Sequence, residues 1–318
     1  MTNSVRCGGH ATLLFAVEPQ PTEQIDQGSI GVGVCFDAGV DVHVLEDEGS
    51  INHVFVIEGV EESLIEAVET VARQALKHTD SGPLHLLIRL NLPFSRGFGM
   101  SAAVAAAVAL ITRPGEIEAA IAIAHLVDRE LSGGLGDAAG LAAGGIERRL
   151  SIGSPWRLDG TPGNGEVKGF SIEVPVLLLW GVEKEQTAAW IDDEMRASVI
   201  RAAGRNSLQM LGQSDWSPAI WPRVIQAADE FLCKSGFDAL EGLMNLLNKA
   251  REMVRQNRMD DHVVVLPCFI GASVLIAPRY LNTGDIDMSA LINDDIAGRC
   301  LLTRVSKNPL REINPEID

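Results

Sequence analysis

The sequence predicts an α+β protein built in two halves. Strand-like and helix-like runs are mixed along the chain. Several strand pairs are parted only by short turn signals, which suits antiparallel hairpins. A turn-rich stretch, "SIGSPWRLDGTPGNG" (151–165), interrupts the chain near its middle and reads as a domain junction or a long hairpin. A boundary there gives an N-terminal unit, 1–165, and a C-terminal unit, 166–318. With 318 residues, 46% of them apolar, there is material for one large core or two ordinary ones.

"TLLFAVEP" (12–19), "IGVGVCF" (30–36) and "VDVHVL" (40–45) read as strands, the last two parted by a turn at Asp37-Ala38-Gly39. "HVFVIEG" (53–59) is a further strand. From Glu61 to Thr79, Leu64, Ile65, Val68, Val71, Ala72, Ala75 and Leu76 recur at helical spacing, so an amphipathic helix packs on a sheet. The strand "LHLLIRL" (84–90) leads through a glycine bend into an alanine-rich helix over about 101–112, and 116–131 forms the next helix. "SGGLGDAAGLAAGGIERRL" (132–150) turns on glycines into a short helix and a strand. In the second half, 170–181 is a strand, and 188–211, 221–236 and 239–257 are helices. The runs 262–278 and 296–305 close the chain as strands.

The net charge of −17 argues against a protein whose main work is gripping nucleic acid or an anionic membrane. The five cysteines form no C-x-x-C pair, which suits reduced, buried thiols better than disulfides or a zinc site. No signal peptide is evident, and the longest apolar segment, 263–278, is too short to span a bilayer and contains Pro267 and Gly271. The expected location is the cytoplasm.

The bend "SRGFGMSAA" (95–103) carries the first chemical signal. The first N–H groups of a helix are unpaired, and its aligned dipoles put partial positive charge there. Gly97 and Gly99 would let a phosphate approach that backbone closely, Arg96 would add a fixed charge, and the Ser101 hydroxyl could meet a phosphate-bound metal. The same residues also fit a plain strand-to-helix turn with Ser101 as N-cap. Neither a Walker A nor a G-x-G-x-x-G pattern is present. Asp137 is the second signal, the only acid between Glu130 and Glu147 and set among small residues. A carboxylate so placed can orient or deprotonate a hydroxyl, or merely cap the helix that follows. Near the start, Gly8, Gly9, Gly28, Gly31 and Gly33 sit beside strands, where glycine permits close approach of a ligand or another backbone.

Three segments in this order, "GGHATLL", "PFSRGFGMSAA" and "GLGDAAGLAAGG", resemble the signature of the GHMP kinase family, which covers galactokinase and the homoserine, mevalonate and phosphomevalonate kinases. Within it, "GGHAT", "GSIGVGV", "GFGMS" and "AHLVDRELSGGLGD" are most similar to the pantoate kinases of archaea. The resemblance implies the two-domain GHMP fold with its active site in the cleft between domains. It implies ATP and Mg²⁺ as cofactors, and a hydroxy acid phosphorylated on its primary hydroxyl (pantoate to 4-phosphopantoate, towards coenzyme A). Another GHMP kinase of mevalonate or homoserine type, or a non-catalytic nucleotide-binding descendant, are the alternatives. Residue by residue, Arg96, Gly97, Phe98, Gly99, Met100, Ser101 and Ala102 would wrap the phosphates, and Asp137 would be catalytic. Ser101 and an acid of the preceding helix, Glu130 over Asp128, would hold Mg²⁺. His10, Ser29 and Arg148 would face the substrate. The family's G-S-R-G arginine is Ile30 here, and Arg148 or Arg149 could substitute for it at the substrate's carboxylate. A homodimer is left open as the assembly.

Overall fold

The computed structural model describes residues 4–45, 51–182, 190, 193–212, 215–282, 286–293 and 296–314. The first half forms β1 (Ser4–Val17), β2 (Ser29–Val44), β3 (Val54–Glu58), α1 (Ile65–Lys77), β4 (His85–Leu90), α2 (Met100–Thr112), α3 (Ile117–Glu130), α4 (Asp137–Ala143) and β5 (Ile146–Arg149). There follow β6 (Val167–Phe170), β7 (Pro175–Trp180), α5 (Glu194–Met210), α6 (Trp221–Lys234), α7 (Glu241–Gln256), β8 (Val263–Cys268), β9 (Ser273–Pro278), β10 (Cys300–Arg304) and β11 (Leu310–Glu312).

Seven strands make one sheet, with the path β11-β1-β2-β4-β3 and a branch from β2 through β5 to β6. β2 is long enough to serve two partners on one edge: Gly31–Val34 pair with β5 and Val40–Val44 with β4, while β1 runs along the other edge. No turn forms at Asp37-Ala38-Gly39. The register shifts there instead: Gly8 pairs with Gly39 and His10 with Cys35, so β2 carries the extra residues of a bulge, and Gly39 lies where a Cβ would stand 2.1 Å from the Cys7 carbonyl oxygen. The pair therefore stays continuous where the sequence signals a break.

α2 has small apolar residues on every side, and from Ala102 to Leu110 all of it is buried, between the sheet, α1 and α3. The second sheet runs β10-β7-β9-β8 and is packed with α6 and α7, while α5 lies against β1 of the first sheet and α6. The run 262–278 is a hairpin, β8 and β9, rather than one strand, because the chain reverses at Phe269–Ala272. The stretch 151–165 is the long hairpin option, joining the antiparallel pair β5 and β6, so β6 and later β11 extend the first sheet. α5 begins at Glu194 with Asp193 accepting from the Arg196 N–H as N-cap; part of the expected run 188–193 lies outside the described residues. Among the described residues no helix is long and apolar enough to cross a membrane.

Candidate active site

A cavity of about 590 Å³ opens at the N-terminus of α2. Gly99, in the left-handed conformation at φ 62°, is the N-cap residue, and Ala103 N–H donates to its carbonyl at 3.0 Å. Ser101 is therefore the second helical residue, not the cap, and its hydroxyl faces the cavity. Gly97, Phe98 and Met100 line the same mouth. Ala102 lies behind it in the core, and Arg96 is off the wall: its Nη2 donates to Glu61 Oε1 at 2.9 Å. The loop is braced from the second sheet, since a Cβ on Gly271 of the β8–β9 turn would stand 2.4 Å from the Arg96 carbonyl oxygen. The far end is apolar, formed by Leu64, Ala67, Val71 and Leu131.

Asp137 opens α4 but does not cap it; its carboxylate lies across the mouth from α2. A Cβ on Gly99 would sit 3.2 Å from Asp137 Cγ. Asp128, two residues before the end of α3, joins it: a Cβ on Gly134 would stand 2.1 Å from Asp137 Oδ2 and 3.7 Å from Asp128 Oδ2. The run 132–136 reaches this position because Gly133 N–H folds back onto the Asp128 carbonyl at 2.6 Å. Both Asp128 oxygens are buried without a hydrogen-bond partner among the described residues. Burial, then the Asp137 charge, push its pKa from 3.8 up to about 8, against smaller opposing pulls from the Ser101 hydroxyl and Arg129. A buried carboxylate with only a serine hydroxyl beside it suits a cation, and Asp128 with Ser101 offers hard oxygen donors of the kind Mg²⁺ takes alongside phosphate oxygens. Glu130 faces elsewhere, accepting from Gln74 Nε2 at 2.6 Å and meeting His78 Nε2 at 3.1 Å. Among the acids weighed for the metal, the structure brings Asp128 to Ser101 and Asp137, and leaves Glu130 outside.

His10 is fully buried behind Asp137, with Nδ1 at 2.7 Å from Asp137 Oδ1 and Nε2 at 3.0 Å from Glu147 Oε1. Arg149 Nη1 donates to that same Glu147 oxygen. Arg149 Nε is buried without a partner among the described residues, and a Cβ on Gly136 would meet Nε at 2.6 Å and Ser29 Oγ at 2.9 Å. Ser29, Thr12 and Gly136 all line the cavity. Arg148 points the other way, bonded to the Gly212 carbonyl at 2.9 Å and lying over the Trp216 ring. Two acid–base residues of this cluster, Glu147 and Arg149, carry a signal in the sequence: at i and i+2 of a short strand they share one face, and both are charges at inward positions.

Comparison with known proteins gives the fold class first. No family model matches the chain. Over nearly its full length it superposes on solved small-molecule kinases of the GHMP fold. A phosphotransferase related to the coenzyme A biosynthesis pathway matches with a TM-score of 0.68 and 21% identity, covering 98% of both chains. The mevalonate kinase of L. major, in complex with R-mevalonate, matches at 0.62 and 13%, covering 96% of this chain and 97% of that one. The chain therefore has the GHMP kinase fold. In sequence it is similar to the pantoate kinase of Thermococcus kodakarensis, 28% identical over 209 residues, which is 64% of this chain and 67% of that protein.

Proposed function

We propose that the protein is an ATP- and Mg²⁺-dependent kinase of a small hydroxy acid, with pantoate as the acceptor. One observation carries this: the amides at the start of α2 and the Asp137 carboxylate line a single cavity, and directly behind its glycine wall stand Asp128, against Gly133 and Gly134, and an Arg149 Nε without a partner among the described residues, against Gly136. The nucleotide's base lies against the apolar end at Leu64, Ala67, Val71 and Leu131, and its phosphates reach the Gly97–Ser101 mouth. Asp128 and Ser101 hold Mg²⁺. When bound, the ion neutralises charge on the phosphate oxygens. The acceptor's carboxylate meets Arg149, Thr12 and Ser29, which fix it by a charge-assisted hydrogen bond and two hydroxyls. Its primary hydroxyl then reaches Asp137, which orients it in line with the γ-phosphorus and takes its proton as the new O–P bond forms and ADP leaves. The α2 amides hold the charge spread over the transferring group.

The resemblance to pantoate kinase and the placing of a carboxylate receptor near the hydroxyl receptor both favour a hydroxy acid over a sugar. A panel of pantoate, mevalonate and homoserine, with ADP release as readout, tests the acceptor; turnover of mevalonate but not pantoate would reject it. Asp137→Asn should lower kcat by roughly 10²–10⁴-fold and leave ATP affinity near that of the unmodified protein. A chain that binds ATP and phosphorylates none of these acceptors would be a nucleotide-binding module instead.

A further inference from the structure

The proton count at His10 carries a second conclusion. Its two ring nitrogens each contact a carboxylate oxygen, Asp137 Oδ1 at 2.7 Å and Glu147 Oε1 at 3.0 Å. An ionised carboxylate only accepts, and a neutral imidazole has a single N–H to give. Both contacts are hydrogen bonds together only if the ring carries two protons or one of the two carboxylates carries one, and Asp137 has to be ionised to take the acceptor's proton. Arg149 Nη1 donates to the same Glu147 oxygen, which favours the ionised carboxylate. The charges then alternate through the interior: Asp137 negative, His10 positive, Glu147 negative, Arg149 positive. Arg149 Nη1 also lies 3.4 Å from His10 Nε2, but a bare Nε2 accepting there would turn its lone pair on Glu147 Oε1 at the shorter 3.0 Å.

We propose that Glu147 is a positioning residue for Asp137: by accepting the second N–H of His10 it keeps the imidazole doubly protonated, and that cation pins Asp137 Oδ1 so that Oδ2 is left to the acceptor hydroxyl. This rests on the reading of Asp137 as the group that receives the hydroxyl. The groups facing His10 are Asp137 from α4, Glu147 and Arg149 from β5, and Cys35 from β2, whose thiol burial keeps neutral by raising its pKa. Burial opposes charge on the imidazole, yet the bonds to Asp137 and Glu147 outweigh it and its pKa is raised. The backbone is shaped for the contact. β2 runs between β1 and β5, and at the crossing it carries Gly33, where a Cβ would stand 2.2 Å from His10 Nε2 and 2.6 Å from Glu147 Oε1.

The test has two arms on the full chain. Nitrogen-15 NMR of histidine-labelled protein without ligands should show both His10 nitrogens protonated at neutral pH in the unmodified chain, and one in Glu147→Gln. A bare His10 nitrogen in the unmodified protein overturns the proposal, and this arm stands even if the variant fails to fold. In kinetics, Glu147→Gln should lower kcat by about 10–100-fold, the range for removing an outer partner of a functional group, with both KM values within about twofold of the unmodified enzyme. Unchanged kcat, or a loss confined to the acceptor KM, overturns it, the latter because Glu147 would then serve Arg149. If the unmodified protein phosphorylates no hydroxy acid, the kinase reading falls, while the NMR arm still decides the protons on His10.

Discussion

Asp128 is the residue whose state depends most on what fills the cavity. Its folded pKa of about 8 lies above the ordinary 3.8, so between those values the folded chain holds a proton that the unfolded chain has released. Its burial is therefore least costly in acid, and the ligand-free protein loses stability as pH rises from about 4 towards 8. A cation must displace that proton. The rise in Tm produced by Mg²⁺ should accordingly grow between pH 6 and pH 8 and vanish in Asp128→Asn; a shift that ignores pH would mean that Asp128 does not take the ion. Arg149 gives the matching test for the acceptor. Arg149→Lys keeps a charge beside Glu147 but loses the planar fork, and should raise the acceptor KM about 10–100-fold, the equivalent of one charge-assisted hydrogen bond. Arg148→Lys, at a position turned away to Gly212, should leave it unchanged.

At the scale of elements, the glycines of "IGVGV" explain why the site forms across three strands. Gly31 and Gly33 lie opposite Arg149 and Glu147 on β5, and the missing side chains of β2 leave the lane through which β1 and β5 touch. Gly33→Ala should destabilise the fold by about 1–3 kcal/mol through overpacking and lower kcat by parting His10 from Glu147, read by denaturant melts and steady-state kinetics. A neutral effect on both would show that the lane has slack. The sequence announced the helices and the mouth of α2 through local signals: hydrophobic period, glycine bend and the alanine run. It announced Asp137 for the same reason, as a lone acid among small residues. The choice of Asp128 over Glu130 was not legible, because two acids two positions apart on a helix point to different faces and only the packing of α3 on α1 decides which is inside. Arg149 over Arg148 is the same problem on a strand, where successive side chains alternate. The missing turn at residues 37–39 had another cause: the glycine there serves close strand approach, and its signal is identical to that of a turn.

For the whole molecule, the charge of −17 would repel an anionic nucleotide at long range, leaving the proposed site's amides and cation to hold it. The Debye length falls from about 30 Å at 0.01 M salt to about 8 Å at 0.15 M. The KM for Mg-ATP should therefore drop, roughly twofold or more, over that range; a KM that rises instead would mean that local cations dominate the approach. The two sheets meet at the mouth itself, where the β8–β9 turn abuts the loop before α2, so neither sheet alone forms the cavity wall. The closing strand has a consequence for biosynthesis. β11 covers the edge of β1, with Val5 beside Glu312, and the Gly8 amide donates to the Pro309 carbonyl two residues before His10. During translation the strand bearing that histidine emerges long before β11 and keeps an open edge until Leu310–Glu312 have left the ribosome. Nascent chains arrested ahead of Leu310 should be substrates for chaperones that shield unpaired strands.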